Sequence, residues 1–148
     1  MVSRGTVYFD DNFVFSDGTK GQKLLILLNT PQKDENYILV KTTSKQKNKP
    51  ASPGCIEGHH KVYYLPSQKD FFNKNTWVQL DDYFLFLTAE ANSRFKKTGK
   101  LTDKTIDKVV KCFLKINELD LSPKIRKLFI SPIANGAAQL AEKFNKRR

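Results

Sequence analysis

The chain is poor in residues that cross-link or ligate: its 148 residues include two cysteines, two histidines and one methionine. Cys55 and Cys112 are far apart in unlike surroundings and supply neither a disulfide framework nor a paired-thiolate zinc motif, so both are expected to be reduced. Long apolar runs are missing too. The longest, Leu24 to Leu28, is five residues, against the ~20 that a membrane-crossing helix needs. The opening Met1-Val2-Ser3-Arg4-Gly5 lacks the basic, apolar and small-residue zones of a secretory signal, so a cytoplasmic location without membrane contact is expected. Acidic residues are scarce: 15 Asp and Glu face 26 Lys and Arg, for a formal net charge of +11.

Eleven Phe, five Tyr and an apolar share of 39% give enough apolar area to exclude disorder as the main state, and the length suits one domain spanning residues 1–148. The positive field would attract polyanions, nucleic acid foremost; a surface charged only for solubility is the alternative. Residues 1–88 hold 11 basic and 9 acidic side chains, and residues 89–148 hold 15 and 6, so the charge belongs to the C-terminal part.

The first part reads as strands. Thr6–Phe9 opens. Lys23–Leu28 is a continuous apolar run bounded by Gly21 and Pro31, as in a central strand buried on both faces. Tyr37–Thr43, Lys61–Leu65 and Thr76–Leu80 follow, with a breaker-rich loop over 44–58. About five short strands at hairpin spacing predict a small antiparallel barrel over residues 3–88. The remainder, 89–148, predicts helices. Thr102 is a candidate N-cap, and Ile106, Val109, Val110, Phe113 and Ile116 form an apolar stripe. Ser122-Pro123 should stop that helix, and Ala134–Phe144 suggests another. Strands followed by helices define an α+β protein.

Four groups of residues could carry chemistry. Asp17-Gly18-Thr19-Lys20-Gly21-Gln22-Lys23 sets open glycine backbone between Lys20 and Lys23, which suits a phosphate; a hairpin loop with solvated lysines is the plain alternative. Thr42-Thr43-Ser44-Lys45 ends the third strand, where the Thr43 and Ser44 hydroxyls beside Lys45 can orient and neutralise a phosphodiester, although these are also ordinary strand and turn residues. His59 and His60 can move protons near neutral pH or form an exposed loop pair. Cys55 with one histidine can be drawn as a metal or redox site. Adjacent histidines in extended chain point to opposite faces and too few ligands remain, so no metal is expected. Lys104, Lys108, Lys111 and Lys115 share the helix face opposite the apolar stripe, either binding substrate or merely solvated. Four phosphate contacts there would carry about 2.8 of the salt slope of single-strand binding.

In order along the chain, Arg4-Gly5-Thr6-Val7-Tyr8-Phe9, the glycine-containing loop into Lys23-Leu24-Leu25-Ile26-Leu27-Leu28-Asn29, and Val40-Lys41-Thr42-Thr43-Ser44-Lys45 resemble the opening of the MazF/PemK family of toxin endoribonucleases. Trp77–Leu80 and Gly99–Lys104 extend the likeness over roughly residues 3–117. The resemblance implies a small antiparallel SH3-like β-barrel with C-terminal helices and a homodimer. It also implies cofactor-free cleavage of single-stranded RNA by 2′-OH attack, restrained by a cognate antitoxin protein. Thr43 falls on the family's strand-end Thr. Where the family has a loop Arg followed by Pro, this chain has Gln22, or Lys23 if the register slips by one, and no Pro. Lys20 and Lys23 then become candidates to hold the scissile phosphate, Thr43 and Ser44 to orient it, and His59 or His60 to transfer protons. The alternative is a non-catalytic module on the same fold that binds nucleic acid or protein.

Overall fold

The computed structural model describes residues 2–129; the helix expected over 134–144 lies outside them. Eight strands form an antiparallel sheet: β1 Thr6–Val14, β2 Lys20–Leu27, β3 Tyr37–Thr43, β4 Gly54–Ile56, β5 Val62–Leu65, β6 Thr76–Gln79, β7 Phe84–Phe86 and β8 Lys96–Lys100. The helices are α1 Thr88–Arg94, α2 Asp103–Ile116 and α3 Pro123–Lys127. The spatial order is β4-β5-β6-β3-β2-β1-β8, with β7 also paired to β3. The α+β reading holds. The expected closed barrel does not: β4 and β8 end the path and are not paired with each other.

Alternation along β2 and β3 creates two apolar layers. Ile26, Leu28, Ile38 and Val40 face one core, where α2 lays down Ile106, Val109, Val110 and Phe113. Leu25, Leu27, Tyr37 and Leu39 face the other, with Tyr8, Ala91 and Phe95. The apolar run of β2 is therefore buried on both faces, as its composition requires. Asp10, buried in β1, is neutralised by Arg94 of α1 at 3.1 Å and accepts the Asn12 N–H at 3.1 Å.

Three expectations change. The stretch from residue 89 contains a strand, β8, whose Lys-Lys-Thr-Gly-Lys sequence has no apolar period because it is an edge strand coated with lysine. Helix α2 starts at the Thr102 cap as expected but ends at Asn117, whose buried amide donates to the carbonyls of Leu80 and Phe113, both at 2.9 Å. Ser122 instead caps α3, accepting the Ile125 N–H, with Pro123 in the first turn. Finally, Cys55 and Cys112 are not free thiols: a disulfide with Cα atoms 5.6 Å apart joins β4 to the buried face of α2.

Candidate functional site

The β2–β3 ladder pairs Leu25 with Lys41 and Leu27 with Leu39. Carried two residues further, the same register sets Lys23 abreast of Thr43, and the Thr42 hydroxyl donates to the Leu24 carbonyl at 2.8 Å between them. At Thr42 and Thr43, β3 also pairs with Val78 and Trp77 of β6. A hollow of about 850 Å³ opens beside this junction. Lys23, Thr43, Gln22, Ser44 and Lys45 line it together.

Further cations converge there. Lys41 projects from β3, Lys47 and Lys49 from the following loop, and Lys74 from the β5–β6 connection, and no carboxylate is among the described lining residues. The loop holds its shape through an amide network: Lys49 N–H donates to the Gln46 carbonyl and Gln46 Nε2 to the Lys49 carbonyl, both at 2.9 Å. Trp77 Nε1 donates to the Pro50 carbonyl at 2.8 Å, which ties the loop to β6. The apolar lining is mainly aromatic, with Phe9, Phe15, Phe71 and Phe72 beside Leu24.

Lys23 is a half-buried cation of the lining. Its Nζ donates to the Thr42 carbonyl at 3.0 Å and lies 5.7 Å from the centroid of the Phe15 ring. Burial pushes its pKa below the usual lysine value, and the charges of Lys41, Lys45, Lys49 and Lys47 push it further in the same direction. Lys49 is shifted downward as well, by burial and by Lys47. Crowded like charges with no acidic partner among the described lining residues form a site that an anion would relax.

The other candidates stand apart. Lys20 is exposed where β2 begins, outside the hollow, and the preceding glycine loop is a plain hairpin turn: Asp17 accepts the Thr19 N–H at 2.9 Å and its hydroxyl at 2.6 Å. His59 and His60 lie in the β4–β5 turn with ring centroids 5.2 Å apart, and neither lines the hollow. The four lysines of α2 are exposed and also outside it. Lys111 is paired with Asp107 at 3.0 Å and Lys115 with Glu57 at 3.1 Å, which favours the solvated-face reading.

Sequence reasoning missed Lys41, Lys47, Lys49, Lys74 and the phenylalanines. The spacing of Lys41, Lys45, Lys47 and Lys49 is a legible signal for a basic segment. Phe71 and Lys74 come from a distant connection, and no short-range pattern announces them. Fold and hollow together define an α+β protein built on an antiparallel sheet, with a lysine-lined, aromatic-walled recess at the end of its central strands. No protein-family model matches the chain, and no curated protein matches it.

Proposed function

We propose that the chain is an endoribonuclease of the MazF/PemK kind, the toxin of a type II toxin–antitoxin pair. It would cleave single-stranded RNA without a metal and act as a cytoplasmic homodimer on an SH3-like scaffold. The observation that carries this reading is the convergence of Lys23 and Thr43 on one recess free of carboxylates among its described residues. In the reaction the ribose 2′-oxygen bonds to the adjacent phosphorus, its proton leaves to a base, the P–O5′ bond breaks and the 5′-oxygen takes up a proton. Lys45, Lys47 and Lys49 neutralise the charge that builds on the phosphorane, and the Thr43 and Ser44 hydroxyls orient it. Lys23, its proton affinity depressed by burial and like charge, is the group placed to exchange a proton there.

A second reading, binding without cleavage, is favoured by one specific observation. Every cation among the described residues lining the recess is a lysine, which offers a point charge where Arg would offer a planar fork, and both histidines lie outside it.

The test is cleavage of single-stranded RNA by the full chain in EDTA. The expected product carries a 2′,3′-cyclic phosphate. Lys23→Ala combined with Thr43→Ala should lower the rate by at least about 10²-fold, the usual cost of removing a preorganised donor. Equal rates in the wild type and the double variant would refute the assignment. Salt-sensitive RNA binding with no product would select the second reading. Growth arrest on induced expression, relieved by a co-expressed neighbouring acidic protein, tests the antitoxin.

A further inference from the structure

The recess has two chemically distinct walls. One is the lysine cluster of β2, β3 and the following loop. The other, from the β5–β6 connection, carries Phe71, Phe72 and Asn73 and adds the single cation Lys74.

Phe71 is a half-buried ring in an unusual seat. Gly99 of β8 has no side chain, and a Cβ there would overlap the edge of the Phe71 ring. Phe72 packs edge-on against it, with centroids 5.2 Å apart and planes at 85°. The backbone beside it is clamped as well. Asp70 accepts the Phe71 N–H at 2.8 Å and the Thr102 hydroxyl at 2.8 Å, so the ring is referenced to the start of α2. Burial works against the Asp70 charge, but hydrogen bonds from Thr105, Thr102 and Phe71 outweigh it and hold the carboxyl below its usual range.

A seat made by the absence of a side chain, an edge-on aromatic neighbour and a charged anchor together fix this ring in a surface recess. The ring packs on one side against the main apolar core and also lines the recess, where phosphate recognition alone would not call for it. Phe15 does not duplicate it, because the Lys23 ammonium already lies against its ring. A fixed aromatic ring lining the same recess as a cluster of cations, with an amide alongside that can donate and accept, is the arrangement that binds a nucleobase while the cations hold its phosphate.

We infer that Phe71, seated on Gly99, is a base-stacking platform that makes this recess select a polynucleotide strand over a bare polyphosphate chain. The inference rests on reading the lysine cluster as a sugar–phosphate site. It adds the residue that discriminates among polyanions.

The test measures affinity of the full chain for three probes: a single-stranded RNA oligomer, the same oligomer with abasic sites, and inorganic polyphosphate of equal charge. Wild type should prefer the intact oligomer over the abasic one by roughly 5- to 150-fold, the range for stacking one base on an aromatic ring. Phe71→Leu, which keeps apolar packing but removes the π face, should bring that ratio close to one, and Phe71→Tyr should restore it. Equal wild-type affinity for intact and abasic oligomers overturns the platform and leaves the lysine site standing. That comparison needs no variant to fold. A ratio unchanged in Phe71→Leu likewise overturns it. Failure of wild type to bind any of the three probes refutes the lysine site and, with it, the platform.

Discussion

In the first half of β2, Lys23 is half-buried within reach of four other lysines, and burial together with their charges lowers its pKa from the ordinary 10.5. Between the lowered value and 10.5 the folded chain binds fewer protons than the unfolded chain, so this group's contribution to stability rises with pH across that window. Below the window the fold carries the full cost of a buried charge. Anion binding runs the opposite way: as pH climbs through the lowered value the amine loses its charge and the recess attracts phosphate less. Lys23→Met should therefore stabilise the free protein at neutral pH. It should also weaken polyphosphate binding by roughly thirtyfold, about 2 kcal/mol for a charge-assisted contact. The pH dependence of binding should flatten with it. Calorimetric titration from neutral to alkaline pH, with thermal melts alongside, checks all three; wild-type affinity in the variant would place the anion elsewhere. Lys23, Thr43, Ser44 and Lys45 were legible from their residue types and Gln22 from the family resemblance, while the β2–β3 register that sets Lys23 abreast of Thr43 is visible only in the fold. Lys20 was not, since its position at the start of β2, away from the end of the ladder, depends on where the hairpin turn falls.

The elements show what short-range pattern can reveal. The burial of β2, the extent of β3 and the Thr102 cap of α2 follow from apolar runs and capping chemistry. Strand β8 and the disulfide do not, because both are set by tertiary contact. Two cysteines 57 residues apart say nothing in sequence about whether β4 will rest on α2. That contact closes a loop containing the strands β5 to β8 as well as α1, so the bond constrains most of the second half of the described fold. Cross-linking over such a span restricts the unfolded chain by about 4 kcal/mol in the loop-entropy picture. Cys55→Ser with Cys112→Ser, or reduction of the wild type with a dithiol, should lower the unfolding free energy by that order, and the two treatments should give coincident denaturation curves. A midpoint that does not move on reduction would mean that packing of α2 alone holds β4. The bond also matters to the recess, because β4 begins directly after the loop that carries Lys45, Lys47 and Lys49.

Over the whole molecule, charge by sequence position and charge by surface position diverge. Counting along the chain assigns the excess to residues 89–148. Folding instead concentrates Lys23, Lys41, Lys45, Lys47, Lys49 and Lys74, all from the nearly neutral first part, around one recess. The acidic residues that balance them in the count lie elsewhere: Asp10 is consumed by Arg94, Asp70 by the α2 cap, and Glu57 by Lys115. Sequence arithmetic cannot see this, because antiparallel pairing brings together β2, β3 and β6, which carry no carboxylate, while Asp10, Glu57 and Asp70 are engaged in contacts elsewhere. The two basic surfaces make opposite predictions for a polynucleotide ligand. If the strand lies in the recess, replacing Lys45, Lys47 and Lys49 together by Gln removes three phosphate contacts and should reduce the salt slope of single-strand binding by about 2.1, at ~0.7 per contact. Replacing Lys104, Lys108, Lys111 and Lys115 by Gln should change it by less than about 0.7, since the residual effect is a distant, screened field. The measurement is log Kd against log salt for the three proteins with one oligomer. A slope that falls by about 2.8 in the α2 variant and holds in the loop variant would move the ligand to the helix face and empty the recess of its role.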